Sequence, residues 1–399
     1  MAKINVNSEI GTLREVLVHT PGDELKFVSP NRLNDLLLSA IIEPNRAIIE
    51  HKKFIKILED NGVKVIQLVD LIVETFLSVN QEKQEEFIWN FIKNARPALD
   101  QEYSNNVFNF LKSLKPKQMV QKMIAGITNA EMGYKSKTTL LIDPLPNMYF
   151  TRDPFASIGN GVSLNSMKYP VRKREEMFAH FIFDNNKKYK NTPKYFDEAI
   201  SNGHIEGGDI FIYNSKTLVI GNSERTDREA ILDIAKNIKK NGMTQFEKIV
   251  VINVPPLPNL MHLDTWLTML DHDKFLYSPN MMKVLKIWEI NLKENDLKLI
   301  VKEKTLEKTL EDIIGKTPIL IPVAGKNATQ IDIDVETHFD ATNYLVIRPG
   351  VVIGYDRNIK TEAALKEAGI TVLSFDGNQL SLGMGSARCM SMPLVRDDI

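Results

Sequence analysis

Cys389 is the residue whose chemistry is easiest to define, because it is the only cysteine among 399 residues. A single thiol excludes an internal disulfide and a cysteine-rich metal site, which leaves a buried structural thiol or a catalytic nucleophile. The thiol lies among the small residues of segment 383–393, where glycines allow a ligand to approach the backbone closely. Its neighbour Arg388 would favour a thiolate. These surroundings favour the nucleophile.

Three polar clusters interrupt apolar segments upstream of the cysteine. They span residues 147–154, 205–209 and 261–266. Each has an ordinary structural interpretation, as an Asp-Pro turn, a Gly-Gly-Asp hairpin and a hydrogen-bonded core histidine. Together they supply one histidine and three carboxylates at the ends of different predicted strands. With Cys389, these groups are typical of covalent catalysis with general acid-base assistance on a cationic substrate.

The order of these motifs resembles the arginine deiminase family, within the pentein or guanidino-group-modifying superfamily. The resemblance rests on Phe-Thr-Arg-Asp-Pro at residues 150–154, Glu-Gly-Gly-Asp at 206–209 and Cys-Met-Ser-Met-Pro at 389–393. It runs from the segment at residues 9–19 to the segment at 384–393, and it is similar above all to mycoplasmal members. It implies hydrolysis of free L-arginine to L-citrulline and ammonia.

The resemblance also implies a role for each catalytic residue. Cys389 would attack the guanidinium carbon and form a thiouronium intermediate, and His262 would act as the general acid and base. Asp153 and Asp264 match the two carboxylates that bind the guanidinium, and Glu206 matches the third acid of the site. A guanidinium stays charged at all working pH values, so paired carboxylates suit it. No metal and no cofactor are expected.

A second anchor is required to select free arginine, and the resemblance assigns the substrate carboxylate to Arg172 and Arg225. Asn147, Phe150 and Gly383 match residues that line the amino-acid end of the site. The alternative interpretation of Arg225 is a surface ion pair with its neighbour Glu224.

Two departures from the family pattern concern turnover and KM rather than the reaction. Met384 occupies a place where several deiminases have an arginine that gates the site, and Arg388 is the one nearby residue to consider as its substitute. Residues 36–44, which border the mouth of the site in the family, are less acidic here than in many relatives.

Other functions fit parts of the pattern. Agmatine deiminase, dimethylarginine hydrolase and amidinotransferase use the same Cys, His and acid chemistry, although Arg172 and Arg225 disfavour agmatine, which has no carboxylate. A catalytically silent binding homologue would not need the cysteine and the histidine together. A zinc deaminase would need two further cysteines after the His-x-Glu at residues 204–206. A P-loop around residues 315–317 lacks the upstream glycine.

Strand and helix patterns alternate in a way that could bring these clusters to one place. A helix, a glycine stop and a β-branched strand recur at residues 47–68, 228–254 and 361–375, and hairpins are predicted at 208–222 and 343–355. The residues alone indicate a mixed α/β fold of repeated ββαβ units. The resemblance implies a five-bladed α/β propeller.

The alternation stops from residue 73 to residue 137, where helices are predicted and strands are absent. We therefore expect a catalytic propeller formed by residues 1–72 and 138–399, and an inserted helical subdomain formed by residues 73–137. We assign no chemistry to the insertion.

Composition and charge bound the remaining possibilities. The chain has 50 basic and 51 acidic residues, a net charge of -1, which gives no indication of nucleic-acid binding. No apolar run approaches the roughly 18 residues of a membrane span, and residues 1–7 lack a signal pattern. We therefore expect a cytoplasmic protein, where a free thiol survives. A homodimer or higher homo-oligomer is expected, with the number of subunits left open.

Overall fold

The protein is described by a computed structural model that covers residues 4–242, 244–254 and 261–399. It has a mixed α/β fold, as the sequence predicts. Within these ranges, none of the helices combines the length and the apolar character that a bilayer span requires.

Nineteen strands are present in the described residues. They are β1 (Leu13–Val18), β2 (Lys64–Gln67), β3 (Ile127–Thr128), β4 (Leu140–Ile142), β5 (Phe155–Ile158), β6 (Gly161–Leu164), β7 (Lys194–Asp197), β8 (Ile210–Asn214), β9 (Thr217–Asn222), β10 (Lys248–Asn253), β11 (Leu267–Met269), β12 (Lys274–Tyr277), β13 (Ile287–Asn291), β14 (Ile300–Lys302), β15 (Ile319–Pro322), β16 (Leu345–Arg348), β17 (Val351–Tyr355), β18 (Thr371–Phe375) and β19 (Met392–Arg396).

Ten α-helices accompany them in the same ranges. They are α1 (Pro44–Asp60), α2 (Leu68–Ser78), α3 (Gln81–Lys93), α4 (Gln101–Ser113), α5 (Pro116–Ala125), α6 (Pro170–Asn185), α7 (Arg228–Asn241), α8 (Leu306–Ile314), α9 (Gln330–His338) and α10 (Ile359–Glu367).

A four-element unit recurs along the chain. Two strands pair antiparallel, a helix follows, and a third strand returns parallel to the second. This order is found in β5-β6-α6-β7 and β8-β9-α7-β10. It recurs in β16-β17-α10-β18 and, with two extra strands inserted, in β11-β12-α8-β15. Strands β13 and β14 extend the second of these sheets to five strands.

A fifth sheet joins the two ends of the chain. Strand β1 pairs parallel with β2 and antiparallel with β19, so that Leu17 lies opposite Met392. Because Cys389 precedes β19 by three residues, this pairing places the predicted nucleophile beside the first strand.

Local sequence explains where the helices of these units begin and end. Helix α7 begins at Asp227, whose side chain accepts a hydrogen bond from the Ala230 amide, as an N-cap does. It ends at Gly242, which has a left-handed conformation (φ 64°) that glycine adopts without steric cost. The predicted stop at Gly62 has the same character, with φ 77°.

The helical region from α2 to α5 packs against α6. Phe87 on α3 stacks on Phe181 of α6, with 4.1 Å between ring centroids. One prediction is wrong here, because the short strand β3 lies within residues 73–137 and pairs with β4. Two residues are too few to give an alternating pattern, and burial of Ile127 accounts for the strand.

Candidate active site

The nucleophile candidate Cys389 is buried, with 5% of its surface exposed. Its Sγ lies 3.6 Å from Oδ2 of Asp264, and its amide donates to Oδ1 of Asn343 at 3.0 Å. Burial raises the pKa of the thiol well above its usual range, and the nearby Asp264 and Asp153 carboxylates raise it further against the opposing charge of Arg388. The thiol of the empty site is therefore protonated at neutral pH.

His262 faces two of the predicted acids. Its Nε2 lies 2.8 Å from Oε2 of Glu206, and its Nδ1 lies 3.9 Å from Oδ1 of Asp153. Burial lowers the pKa of this imidazole, but the carboxylates of Asp153 and Glu206 outweigh it and raise the pKa to about 9. His262 is therefore a cation at neutral pH and can donate a proton.

The Gly-Gly-Asp step supports this histidine. Residues Gly207–Asp209 form a 3₁₀ turn rather than the hairpin that they usually indicate. A Cβ on Gly208 would lie 2.5 Å from Nδ1 of His262, so only glycine fits there. The Asp209 carboxylate accepts from the amide of Leu263 at 2.8 Å, which fixes the segment that follows the histidine.

Glu206 is held as a carboxylate by cations. Burial raises its pKa, but Arg225, His262 and Arg172 outweigh burial and bring the pKa down to about 2. Its Oε1 also accepts from the amide of Lys168 at 3.0 Å. The residue therefore balances the charge of His262 at any working pH.

Asp153 and Asp264 share an arrangement that suits a planar cation. One oxygen of each is paired with an arginine, Asp153 with Arg172 at 2.6 Å and Asp264 with Arg388 at 2.9 Å. The other oxygen of each, Oδ1, is buried and has no hydrogen-bond partner among the described residues. An unpaired buried acceptor is costly, by about 1–3 kcal/mol. Two such acceptors therefore favour a ligand that brings N–H donors.

The two predicted carboxylate-binding arginines are both buried. The Nη1 of Arg225 lies 3.2 Å from Oε2 of Glu206, and its guanidinium lies over the ring of Tyr169 at 4.4 Å. The surface ion pair with Glu224 is not formed, since Glu224 instead accepts from the Tyr169 hydroxyl. The alternative interpretation of Arg225 is therefore wrong.

Arg172 is fixed by Glu175, a residue that the sequence analysis missed. The carboxylate of Glu175 accepts from Nε and Nη2 of Arg172, at 3.1 and 2.8 Å. Glu175 lies one helical turn after Arg172 on α6, and an i, i+3 pair of opposite charge is the signal that could have identified it.

Eight predicted residues line one small cavity. They are Asn147, Phe150, Asp153, Arg172, Arg225, His262, Gly383 and Cys389. Its free space is about 20 Å³, enough for one water molecule. A Cβ on Gly383 would lie 1.8 Å from the Tyr149 hydroxyl, which explains the glycine. The amide of Asn147 donates to the carbonyl of Leu36 at 2.7 Å.

The departures from the family pattern lie at the same cavity. Met384 lines it together with Leu37, and both have left-handed backbones, with φ of 65° and 57°. Such values are uncommon for residues other than glycine and cluster at functional sites. Arg388 does not line the cavity, because its side chain is buried against Asp264 and Glu9. Arg388 therefore does not take the place of a gating arginine.

Three side chains at this site are close enough to one another to hold a metal ion. Ligand atoms of Asp153, Glu206 and His262 lie within 4.8 Å of one another. Asp153 and Glu206 also accept from Arg172 and Arg225, so a divalent cation would bind next to two guanidinium groups.

Comparisons with known proteins agree with the resemblance. The family model of arginine deiminase matches residues 34–396. The chain is 53% identical over 398 residues to an arginine deiminase of Metamycoplasma hominis, covering 99% of this chain and 97% of the relative. It is 54% identical over 399 residues to that of Metamycoplasma arthritidis, with the same coverage.

Solved structures of lower identity share the fold. A dimethylarginine dimethylaminohydrolase in an adduct with S-methyl-L-thiocitrulline is 15% identical with a TM-score of 0.55, covering 95% of this chain and 99% of that one. SxtG, an amidinotransferase from Microseira wollei, is 14% identical with a TM-score of 0.54, covering 100% of this chain and 98% of that one.

Proposed function

The chain belongs to the arginine deiminase family and hydrolyses L-arginine to L-citrulline and ammonia; we propose that it does so through a covalent intermediate on Cys389. The observation that supports this most directly is that Asp153 and Asp264 each keep one buried oxygen, Oδ1, without a partner, while the other oxygen of Asp264, Oδ2, lies 3.6 Å from Sγ of Cys389. A guanidinium placed between them satisfies both acceptors and lies next to Sγ.

Substrate binding involves two anchors. Asp153 and Asp264 accept N–H bonds from the guanidinium and hold it flat, so that its carbon faces Cys389. Arg172 and Arg225 bind the substrate carboxylate, and Asn147, Phe150 and Gly383 line the amino-acid end of the cavity. Agmatine has no carboxylate and would make no contact with these arginines. Methylated arginines would have too little room around their guanidinium groups.

The first half-reaction forms the carbon–sulfur bond. The substrate cation between the carboxylates favours release of the thiol proton to solvent, and the resulting thiolate attacks the guanidinium carbon. Protonated His262 gives its proton to the leaving nitrogen, which departs as ammonia. Glu206 stabilises the cationic form of His262 until this transfer. The product of this step is a thiouronium on Cys389.

The second half-reaction breaks that bond. Neutral His262 takes a proton from water, and the water oxygen attacks the thiouronium carbon. The carbon–sulfur bond then breaks as the hydroxyl proton of the intermediate passes to the leaving sulfur, which restores the Cys389 thiol. Citrulline leaves, and His262 keeps the proton it took from water for the next turnover.

The arrangement of the whole molecule is also a proposal. We infer that the five sheets of three or more strands form five blades around one axis, since four share one topology and the fifth joins the chain ends. We infer that residues 73–137 are an insertion into a catalytic unit of residues 1–72 and 138–399. A cytoplasmic location suits the single buried thiol. A homo-oligomer is proposed as well.

The proposal is tested by incubating the protein with L-arginine, agmatine and asymmetric dimethylarginine, and by measuring ureido product and ammonia. L-Arginine should be the preferred substrate, and Cys389→Ser should form no citrulline while keeping its circular dichroism spectrum. Acid quenching during turnover should trap a mass increase on the peptide that contains Cys389. Turnover by the serine variant would refute the covalent route. A folded wild-type protein that binds arginine without turnover would indicate a silent binding homologue.

A further inference from the structure

Residues 340–343, between α9 and β16, contact both the nucleophile and a guanidinium-binding carboxylate. None of them is among the candidate site residues of the sequence analysis, in which Asn343 is only the first residue of a predicted hairpin. The segment begins at Asp340, a buried residue with a left-handed backbone (φ 57°). Its last two residues, Thr342 and Asn343, are fully buried.

Asn343 makes three hydrogen bonds to the segment that contains Cys389. Its side-chain Oδ1 accepts from the amide of Cys389 at 3.0 Å and from the amide of Ser386 at 3.2 Å. Its carbonyl accepts from the amide of Arg388 at 3.2 Å. Because both partners of Oδ1 are donors, they fix which end of the side-chain amide faces the nucleophile.

Thr342 connects the same segment to Asp264. Its Oγ1 donates to the carbonyl of Asp264 at 3.0 Å. Its own carbonyl accepts from the hydroxyl of Thr268 at 2.5 Å, which fixes the threonine in turn. Two adjacent residues therefore determine where the backbones of Cys389 and Asp264 lie relative to each other.

Asn343 is not arranged for stability alone. Its Nδ2 is buried and has no hydrogen-bond partner among the described residues. A buried unpaired donor costs about 1–3 kcal/mol. Asn343 is present despite this cost, and its Oδ1 accepts two hydrogen bonds from the segment that contains Cys389. This combination indicates that the side chain holds that segment in place.

We propose that Asn343 is a positioning residue, which holds the Cys389 thiol at the distance from Asp264 that aims it at the guanidinium carbon. This inference rests on the proposed function, because it requires Cys389 to be the nucleophile. The effect is expected on kcat rather than on binding. Binding should be spared because Asn343 does not line the cavity. The rate should fall because displacement of the reacting atoms by about 1 Å costs on the order of 100-fold.

Two substitutions test the proposal. Asn343→Ala removes both side-chain bonds, and we expect kcat to fall by about 100-fold with KM little changed. Asn343→Asp keeps the acceptor oxygen and the shape but adds a charge near the thiol. In Asn343→Asp, the rate of Cys389 alkylation by iodoacetamide should rise at higher pH than in the wild type, because a fourth carboxylate joins Asp264, Asp153 and Asp340 against Arg388.

Asn358→Ala is the matched control. Asn358 is equally buried and donates to the carbonyl of Phe339 at 3.0 Å, but it does not line the cavity. Its loss should leave kcat and the alkylation profile unchanged. A merely structural role for Asn343 would make the two alanine variants alike.

The outcomes separate this inference from the proposed function. Wild-type kcat in folded Asn343→Ala would overturn the positioning role. If the alanine variant does not fold, Asn343→Leu decides, because it also removes the acceptor oxygen but keeps more of the side-chain volume, and wild-type kcat in that variant would overturn the positioning role. Activity in Cys389→Ser would instead remove the proposed mechanism, whatever the Asn343 variants do.

Discussion

At the scale of single residues, the site keeps both the proposed nucleophile, Cys389, and the proposed acid, His262, protonated at neutral pH. The pKa of the Cys389 thiol is raised well above its usual range by burial and by Asp264, whereas the pKa of His262 is raised to about 9 by Asp153 and Glu206 acting against burial. The same carboxylates thus suppress the thiolate and maintain the imidazolium. In the proposed mechanism, an arriving guanidinium balances the charge of the carboxylates, so that they no longer suppress the thiolate.

The first prediction concerns thiol reactivity. In the absence of ligand, Cys389 should be alkylated slowly by iodoacetamide at pH 7, because its pKa lies well above the usual value. A bound, unreactive guanidinium should increase the thiolate absorbance near 240 nm at the same pH. A thiol in the empty site that titrates well below pH 7 would contradict substrate-triggered ionisation.

The second prediction concerns the pH dependence of turnover. In the proposed mechanism His262 donates its proton to the leaving nitrogen, and its raised pKa of about 9 means that the donating form exists below this pH and is lost above it. Activity should therefore be highest on the acidic to neutral side and fall as pH rises through about 9. A kcat profile measured from pH 5 to 10 checks this, and a rate that increases through pH 9 would exclude His262 as the acid.

The third prediction separates the two substrate anchors. Arg225→Ala should raise KM for arginine by about 10- to 150-fold, which corresponds to the loss of about 1.5–3 kcal/mol, the value of a hydrogen bond to a charged group. The KM for agmatine should change less, since agmatine has no carboxylate. The kcat for both substrates should fall, because Arg225 also pairs with Glu206. Arg172→Ala should likewise raise KM for arginine more than KM for agmatine. It should also lower kcat, because Arg172 pairs with Asp153.

Arg228→Ala is the control for the arginine variants. Arg228 lies over the ring of Trp288 and does not line the cavity. Its loss should leave both KM values unchanged. Equal losses for arginine and agmatine in Arg225→Ala would show that the carboxylate assignment is wrong.

Sequence could predict the residues that belong to motifs, but not their partners. Arg172 and Arg225 were found because the family marks them, and both line the cavity. Asn343 has a common residue type and no local pattern distinguishes it, whereas the only local signal for Glu175 is its i, i+3 spacing from Arg172. Their function depends on contacts, and those of Asn343 with Ser386 and Cys389 cross more than forty positions of the chain. Such contacts exist only after folding.

At the scale of elements, the helices from α2 to α5 share one hydrophobic core with the sheet of β5, β6 and β7. Phe87 of α3 contacts Phe178 and Phe181 of α6, and Phe155 of β5 packs on Phe183 of the same helix. The buried apolar residues are continuous from the helical region into the sheet. We therefore expect the helical region to unfold together with this sheet.

The fourth prediction tests that coupling. Phe87→Ala removes a ring that is 97% buried, and such truncations cost about 3–5 kcal/mol. Calorimetry should show one transition at a lower temperature than in the wild type. A new, separate transition for the helical region would show that it is an independent domain. Leu77→Ala is the control, since Leu77 is 64% exposed on the neighbouring helix.

Long periodic elements with glycine stops were predictable, and short or abutting ones were not. The stop at Gly242 followed from glycine's access to a left-handed backbone. In contrast, α2 begins at Leu68, directly after β2 ends at Gln67, with no turn residue to mark the change. The apolar residues that begin α2 follow the strand without a break, so the sequence does not mark where the strand ends and the helix begins.

At the scale of the whole molecule, one buried histidine outside the site limits stability in acid. His51 on α1 is completely buried and lies 3.2 Å from the hydroxyl of Thr20. Burial, with a contribution from His19, lowers its pKa to about 3. The pKa of a histidine in the unfolded chain is about 6.5. The folded state therefore favours neutral His51. The resulting contribution to the free energy of unfolding is fully present above pH 6.5 and is lost as the pH falls towards 3.

The fifth prediction concerns the loss of stability as the pH falls. The free energy of unfolding of the wild type should fall between pH 6.5 and pH 4, and His51→Asn should show a shallower decrease. Asparagine keeps a polar atom near Thr20 but does not titrate in this range. Urea unfolding at several pH values measures the slope for both proteins. Parallel slopes would show that protonation of His51 does not limit stability in acid.

The pairing of β1 with β19 has a consequence for biosynthesis. Ribosomes add about 5–20 residues per second, so β1 leaves the ribosome roughly 20–75 s before the strand that pairs with it. Towards the end of this interval the chain contains Asp153, Glu206, His262 and Asp264, but it still lacks Cys389 and a closed first sheet. A nascent chain therefore consumes no arginine while its own synthesis still requires that amino acid, and turnover begins only after β19 has been made.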